Sequence, residues 1–265
     1  MTTRDNIPGA GGSDFFDALR KGFLLGAAVL LLVLPPKLMS MRAAPGVGAI
    51  PSSQPVAAAG VPPAATRVAH RMANFGSQEP SPEARHVANW ALYSGDNGSK
   101  SVVIVDKKMA KVYVFSPQGE LKGATPALLG AAIGDDSAPG IGEKPLSQVK
   151  PEEKTTPAGR FVAERGMNTN NEDVVWVDYN AAVSMHRIRP SVPAERRMER
   201  MASPTHEDNR ISFGCINLPV AFYETVLSPA VQATGAIIYV LPETRTAREV
   251  FASYDVPVTQ KVAQK

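Results

Sequence analysis

At 265 residues the chain has room for one sizeable domain with extensions, and 44% hydrophobic residues is ordinary for a globular protein. A formal charge of +3 is too small to argue for a nucleic-acid partner, and no basic patch is interleaved with aromatic residues. Compatibility with an anionic wall or membrane surface is all that the charge adds. The N-terminus is more informative. Residues 1–21 are polar and mixed and end in Arg20-Lys21; residues 22–34 are uncharged, and Pro35-Pro36-Lys37 follow. Positive residues before a short apolar core describe an export signal, whereas a membrane span needs about 20 apolar residues. No small-x-small cleavage site follows directly. Residues 22–39 therefore read as an uncleaved N-terminal anchor with 1–21 cytoplasmic, a cleaved signal peptide being the second reading. Either places the rest of the chain outside the cytoplasm. Residues 40–81, rich in Pro, Ala and Gly, read as an extended linker.

From Pro82 the pattern changes. Ser81 is a candidate N-cap and Pro82 a first-turn residue for a short helix through Tyr93, so residues 82–99 read as a leading helix and turn. Residues 101–105 and 111–115 are β-rich and joined by a short polar connection, which predicts a hairpin, with 121–129 continuing it. Residues 130–155 are crowded with turn formers and predict either a lid or a solvated surface loop. Asp135-Asp136 in that stretch has no histidine or further carboxylates at ligand spacing, so a metal site is rejected and no cofactor is expected. Thr156-Pro-Ala-Gly-Arg-Phe161 leads into another strand, and residues 173–179, 181–188 and 235–242 read as further strands. Residues 191–201 are helix-compatible and arginine-rich; a solvated charged face is the reading for Arg196, Arg197 and Arg200. Residues 219–227 fit a short helix, and 243–265 read as a polar tail. The domain spanning 100–242 is thus expected to be mainly β with a few short helices.

The chemistry concentrates in Arg210-Ile-Ser-Phe-Gly-Cys-Ile-Asn-Leu-Pro219. Cys215 is the only cysteine in the chain, so its role is packing or reactivity, not an internal disulfide. Gly214 permits a sharp turn or a close approach, and Ser212 and Asn217 flank the thiol with polar groups. A nucleophilic cysteine needs a base and donors for an oxyanion. The backbone N–H groups of Phe213, Gly214 and Cys215 are candidates for the donors, and His186, at the end of a strand-like run, is the candidate base. His206 lies nearer in sequence but in a polar loop, where preorganisation is poor. His70 and His86 read as surface residues.

These residues resemble the YkuD-like L,D-transpeptidases of bacterial cell walls. That family's signature is a histidine, a gap, then Ser-His-Gly-Cys-(Ile/Val)-(Arg/Asn)-(Leu/Met), matched by His186, Ser212, Gly214, Cys215, Ile216, Asn217 and Leu218. The family's Thr-Pro-x-Gly-x-Phe appears as Thr156 to Phe161. Phe213 stands where the family has histidine, and the gap from His186 to Cys215 is longer than usual. The resemblance implies a β-sandwich catalytic core and two-step acyl transfer on peptidoglycan tetrapeptide stems, with Cys215 as nucleophile and His186 as base. The carbonyl of Arg187 would orient the imidazole, and Ser212 and Asn217 would support the loop or contact substrate. Independently of the resemblance, Arg187, Arg189 and Arg210 flank the proposed dyad and are candidates to bind the carboxylates of a peptide stem, Arg187 and Arg210 as substrate-binding or supporting residues. A hydrolase resolving the same thioester with water (an L,D-carboxypeptidase or amidase) is the alternative enzyme. An anchored wall-binding module whose cysteine only packs is the non-catalytic alternative.

Overall fold

The computed structural model describes residues 70–257; the anchor expected at 22–39, most of the linker and the last residues of the chain lie outside them. Among the described residues no helix is long and apolar enough to cross a membrane. Helix α1 (Pro82–Ser94) starts where Ser81 Oγ accepts the Ala84 N–H, with Pro82 in the first turn. Strands β1 (Ser101–Asp106), β2 (Lys111–Phe115), β3 (Leu121–Pro126) and the short β4 (Leu129–Gly130) follow. An arm of three 3-10 turns (Ile141–Glu143, Leu146–Gln148, Pro151–Glu153) precedes β5 (Gly159–Val162), β6 (Glu164–Met167), β7 (Asp173–Asp178) and β8 (Val183–Arg187). Next come α2 (Arg197–Ala202), β9 (Arg210–Ser212) and β10 (Ile216–Leu218). Helix α3 (Val220–Phe222) runs through a π-helical stretch (Tyr223–Leu227) into α4 (Ser228–Thr234), and β11 (Ala236–Val240) and α5 (Ala247–Phe251) complete the order.

The described fold is mainly β: a five-stranded sheet (β3-β2-β1-β11-β5) and a four-stranded sheet (β10-β8-β7-β6), with β4 and β9 paired beside them. The two larger sheets sandwich an apolar core in which Val103, Val114 and Ile238 of one meet Val175, Met185 and Ile216 of the other. The reverse face of the five-stranded sheet is covered by α1, α5 and Phe75. Strands β1 and β11 are therefore buried on both faces, which explains their unbroken apolar runs. The hairpin expected from residues 101–115 forms, with β1 and β2 antiparallel.

Three expectations are corrected. The linker expected to reach residue 81 ends earlier, since Phe75 is buried under the sheet and Asn74 bridges to Glu120. The polar tail expected from 243 contains α5, capped by Thr246 and Glu249, and buries Ala247 and Phe251; so few inward residues leave no visible periodicity. The helix expected over 191–201 is broken at Arg196 (φ 49°), so only Arg197–Ala202 is α-helical, preceded by a 3-10 turn.

Lys107 is the polar centre of the fold. Its side chain is fully buried, as are those of Asp135 and, nearly so, Glu243. The ammonium donates to Gly134 O (2.5 Å), Thr156 O (2.9 Å) and Asp135 Oδ1 (3.0 Å). Burial pulls the Lys107 pKa down, against the attraction of Glu243 and Asp135. Burial pushes the Asp135 carboxyl up, but donation from the Thr244 hydroxyl, the Glu243 and Arg245 N–H groups and Lys107 outweighs it and holds the carboxyl well below the usual range. Removing one member strands buried charge, so Lys107→Met is expected to cost about 3–5 kcal/mol in urea unfolding. A loss below about 1 kcal/mol would show that the network does not hold the fold. The stabilisation from Asp135 is present above its unfolded pKa of about 3.9 and is lost as pH falls toward its lowered folded value.

Candidate active site

Cys215 stands one residue before β10, which pairs in parallel with β8: Ile216 faces Met185 and Asn217 faces His186. Ile216 and Met185 point into the core. Strand alternation therefore puts Cys215, Asn217, Ser184 and His186 together on the outer face. The thiol is half-buried. Its sulfur lies 3.5 Å from Ala182 O and 3.8 Å from Ser184 Oγ, both polar neighbours. Among the described residues no hydrogen bond joins it to His186, which lies diagonally across the strand pair. The two candidate residues share one face but are not hydrogen-bonded to each other.

The turn carrying the thiol is held by hydroxyls. Ser212 Oγ donates to Cys215 O (2.6 Å) and accepts the Gly214 N–H (3.1 Å). Buried Thr156, from the second motif, donates to Gly214 O (2.8 Å) and accepts the Gly130 N–H (2.9 Å). Carbonyl and N–H of one trans peptide point opposite ways. Fixing Gly214 O on the buried floor therefore aims the Cys215 N–H away from it, and that N–H makes no hydrogen bond among the described residues. It is the donor best placed for an oxyanion, whereas the Gly214 N–H is engaged. Gly214 has φ 137°, and a Cβ there would stand 2.7 Å from Thr155 O, so only glycine fits. Phe213 is exposed, with the Lys154 ammonium 4.0 Å from its ring centroid. The arm of 3-10 turns thus reaches the nucleophile turn through Lys154.

His186 Nδ1 lies 2.8 Å from Arg187 O. A carbonyl only accepts, so Nδ1 carries the proton and Nε2 keeps the lone pair. Burial lowers the His186 pKa, the Arg189 and Arg197 charges lower it further, and the Arg187 carbonyl and Glu172 oppose them. The net direction is down, which keeps the ring neutral and basic at pH 7.

The side chain of Arg187, next to His186 on the strand, takes the other face. It pairs with Asp173 (2.8 Å) and Glu224 (3.0 Å) and lies over the Tyr223 ring. Arg210 binds Glu243 and the carbonyls of Lys107 and Gly130. Neither side chain meets the thiol, which corrects their expected place beside the dyad. His206 pairs with Glu207 and lines a separate groove with Ile133 and Arg210. His70 stacks on Tyr93, and His86 bonds Ser253.

The residue missed by sequence reasoning is Arg197. It donates to Asn217 Oδ1 (2.7 Å), while Asn217 Nδ2 donates to Cys215 O (3.3 Å). The break at Arg196 turns it inward, and no periodicity signals that.

No family model matches the chain, and no curated protein matches it. Among solved structures, the L,D-transpeptidase LdtMt1 in complex with imipenem matches with a TM-score of 0.32 and 16% identity. The match covers 54% of this chain and 60% of that one, less than two thirds of its length.

Two outcomes follow from this geometry. In an NMR titration of the His186 ring, the midpoint is expected below 6.5 and should rise when the nearby charge is removed in Arg197→Gln; a wild-type midpoint at or above 6.5 would contradict the burial argument. Thr156→Val, which strands the Gly130 N–H and frees Gly214 O, is expected to lose about 1–3 kcal/mol of stability. It should also slow alkylation of Cys215, with Thr156→Ser restoring both.

Proposed function

We propose that the protein is a cysteine-dependent L,D-transpeptidase acting on peptidoglycan tetrapeptide stems. The observation that carries this reading is the parallel register that sets a half-exposed Cys215 and a neutral, oriented His186 on one sheet face. It is joined by the two sequence motifs, which meet in space through the Thr156–Gly214 hydrogen bond. The thiol leaves Ala182 O and passes its proton to His186 Nε2. The thiolate attacks the carbonyl of the third stem residue, and the charge on oxygen falls to the Cys215 N–H. The C–N bond to the terminal D-alanine breaks as His186 returns the proton to the leaving amine, giving a thioester. The amine of a second stem, or of a wall-attached protein, then attacks; His186 takes its proton, the C–S bond breaks and the thiol is regenerated. Ser212, Thr156, Asn217 and Arg197 hold the turn, and no cofactor is used. The site of action is the cell envelope, with residues 22–39 as membrane anchor.

A carbapenem is expected to form one covalent adduct on the wild-type protein and none on Cys215→Ala, read by intact-protein mass spectrometry. His186→Ala should slow acylation roughly 10²–10⁴-fold. With purified stems, dimers linked 3→3 are the expected product; shortened monomers alone would make the enzyme a carboxypeptidase. An unmodified wild-type thiol would leave the packing role for Cys215.

A further inference from the structure

One row across the four-stranded sheet reads Cys215, Ser184, Trp176, Glu164. Trp176 pairs with Ser184 and Glu164 with Trp176, and Ser184 Oγ lies 3.8 Å from the sulfur. Trp176 therefore shares the outer face with the thiol, two strand spacings away, about 10 Å. It is not part of the inter-sheet core. The Nε1–Cδ1 edge of its indole crosses Gly166, where a Cβ would stand 2.6 Å from Nε1, so a side chain there would displace the ring. Tyr179, 70% exposed, packs edge-on against it with centroids 5.1 Å apart. With Arg160, Phe161 and Val162 of β5 the two rings line a groove of about 370 Å³ whose rim includes Glu164 and Asn180.

Two large aromatic rings outside the inter-sheet core, one half-buried and one exposed, on the sheet face that carries the thiol two strands away, mark a binding surface. A polar-rimmed aromatic wall suits a ligand with one apolar C–H face and a ring of hydroxyl and amide groups, which describes an N-acetylated pyranose. An anionic ligand is disfavoured, because Glu164 and Asp178 border the groove and Arg160 is paired with Asp96. The spacing agrees. An extended chain covers about 3.3 Å per residue, so about 10 Å corresponds to three residues, the length of stem between the attacked carbonyl and the sugar that bears it.

We infer that Trp176 and Tyr179 form a subsite for the N-acetylated sugar that carries the stem peptide. This rests on the transpeptidase reading for its substrate, but the test does not need turnover. The full chain is titrated with a peptide-free N-acetylglucosamine oligosaccharide while tryptophan fluorescence is followed. The other tryptophan, Trp90, is buried on the far face of the five-stranded sheet and serves as a constant background. The expected result is a saturable change that is lost in Trp176→Leu and weakened roughly three- to tenfold in Tyr179→Ala. Tyr254→Ala, at another exposed aromatic, should leave binding unchanged. A thermal melt of each variant separates lost binding from lost fold. Absence of binding by the folded wild type overturns the subsite even if 3→3 cross-links are made. Binding without any acyl-enzyme upholds the subsite and overturns the reaction instead. Tighter binding of tetramethylammonium than of the sugar would overturn the sugar assignment in favour of a cation-binding wall.

Discussion

A single buried ammonium holds together the parts that make the site. Lys107 follows the end of β1, and its three donations reach the start of the arm at Gly134, the carboxylate of Asp135 and the carbonyl of Thr156. Asp135 in turn collects the backbone of residues 243–245. Thr156 faces both ways: its carbonyl is fixed by Lys107, and its hydroxyl fixes Gly214 O. The placement of the nucleophile turn is thus referred to the central sheet through two hydrogen bonds and one residue. A buried ion pair is a poor investment for stability alone, since an apolar pair of similar volume often does as well. Its use here is positional: directed bonds define where the arm, the turn and the C-terminal segment meet, which apolar packing defines less sharply.

The second constraint is electrostatic. A base for a thiol must be neutral at rest, and burial supplies that for His186, reinforced by Arg189 and Arg197. The same surroundings oppose the imidazolium once a proton arrives. The Arg187 carbonyl, through Nδ1–H, and the charge of Glu172 counter that cost. A proton accepted under such conditions is held weakly, as the acid–base role proposed for His186 requires. Arg197 combines both roles, shaping the field at the imidazole while fixing Asn217, whose amide holds the Cys215 carbonyl.

What was legible in the sequence was local chemistry. Cys215 with Gly214, the strand carrying His186, the Ser81 cap and the 101–115 hairpin each depend on neighbours within a few residues. What was not legible depends on contacts far apart in the chain. Lys107 looks like an ordinary hairpin lysine, and only partners at 135, 156 and 243 make it a core residue. Arg187 and Arg210 flank the dyad in sequence, yet strand alternation sends Arg187 to the opposite face and Glu243 draws Arg210 away. Helix α5 buries too little to leave a pattern, and the inward turn of Arg197 needs a positive φ at Arg196 that no residue type there announces.

Parallel pairing of β8 and β10 also accounts for the open dyad. Residues two apart along a strand share a face, so Ser184 and His186 sit on the same side as Cys215, with Ser184 the nearer. The resting sulfur leans the other way, toward the carbonyl of Ala182, whose left-handed backbone (φ 53°) closes the turn between β7 and β8. A thiol is a weak donor, and such a contact is a second-order interaction. In the resting geometry the thiol is therefore engaged with a backbone carbonyl and not with the imidazole.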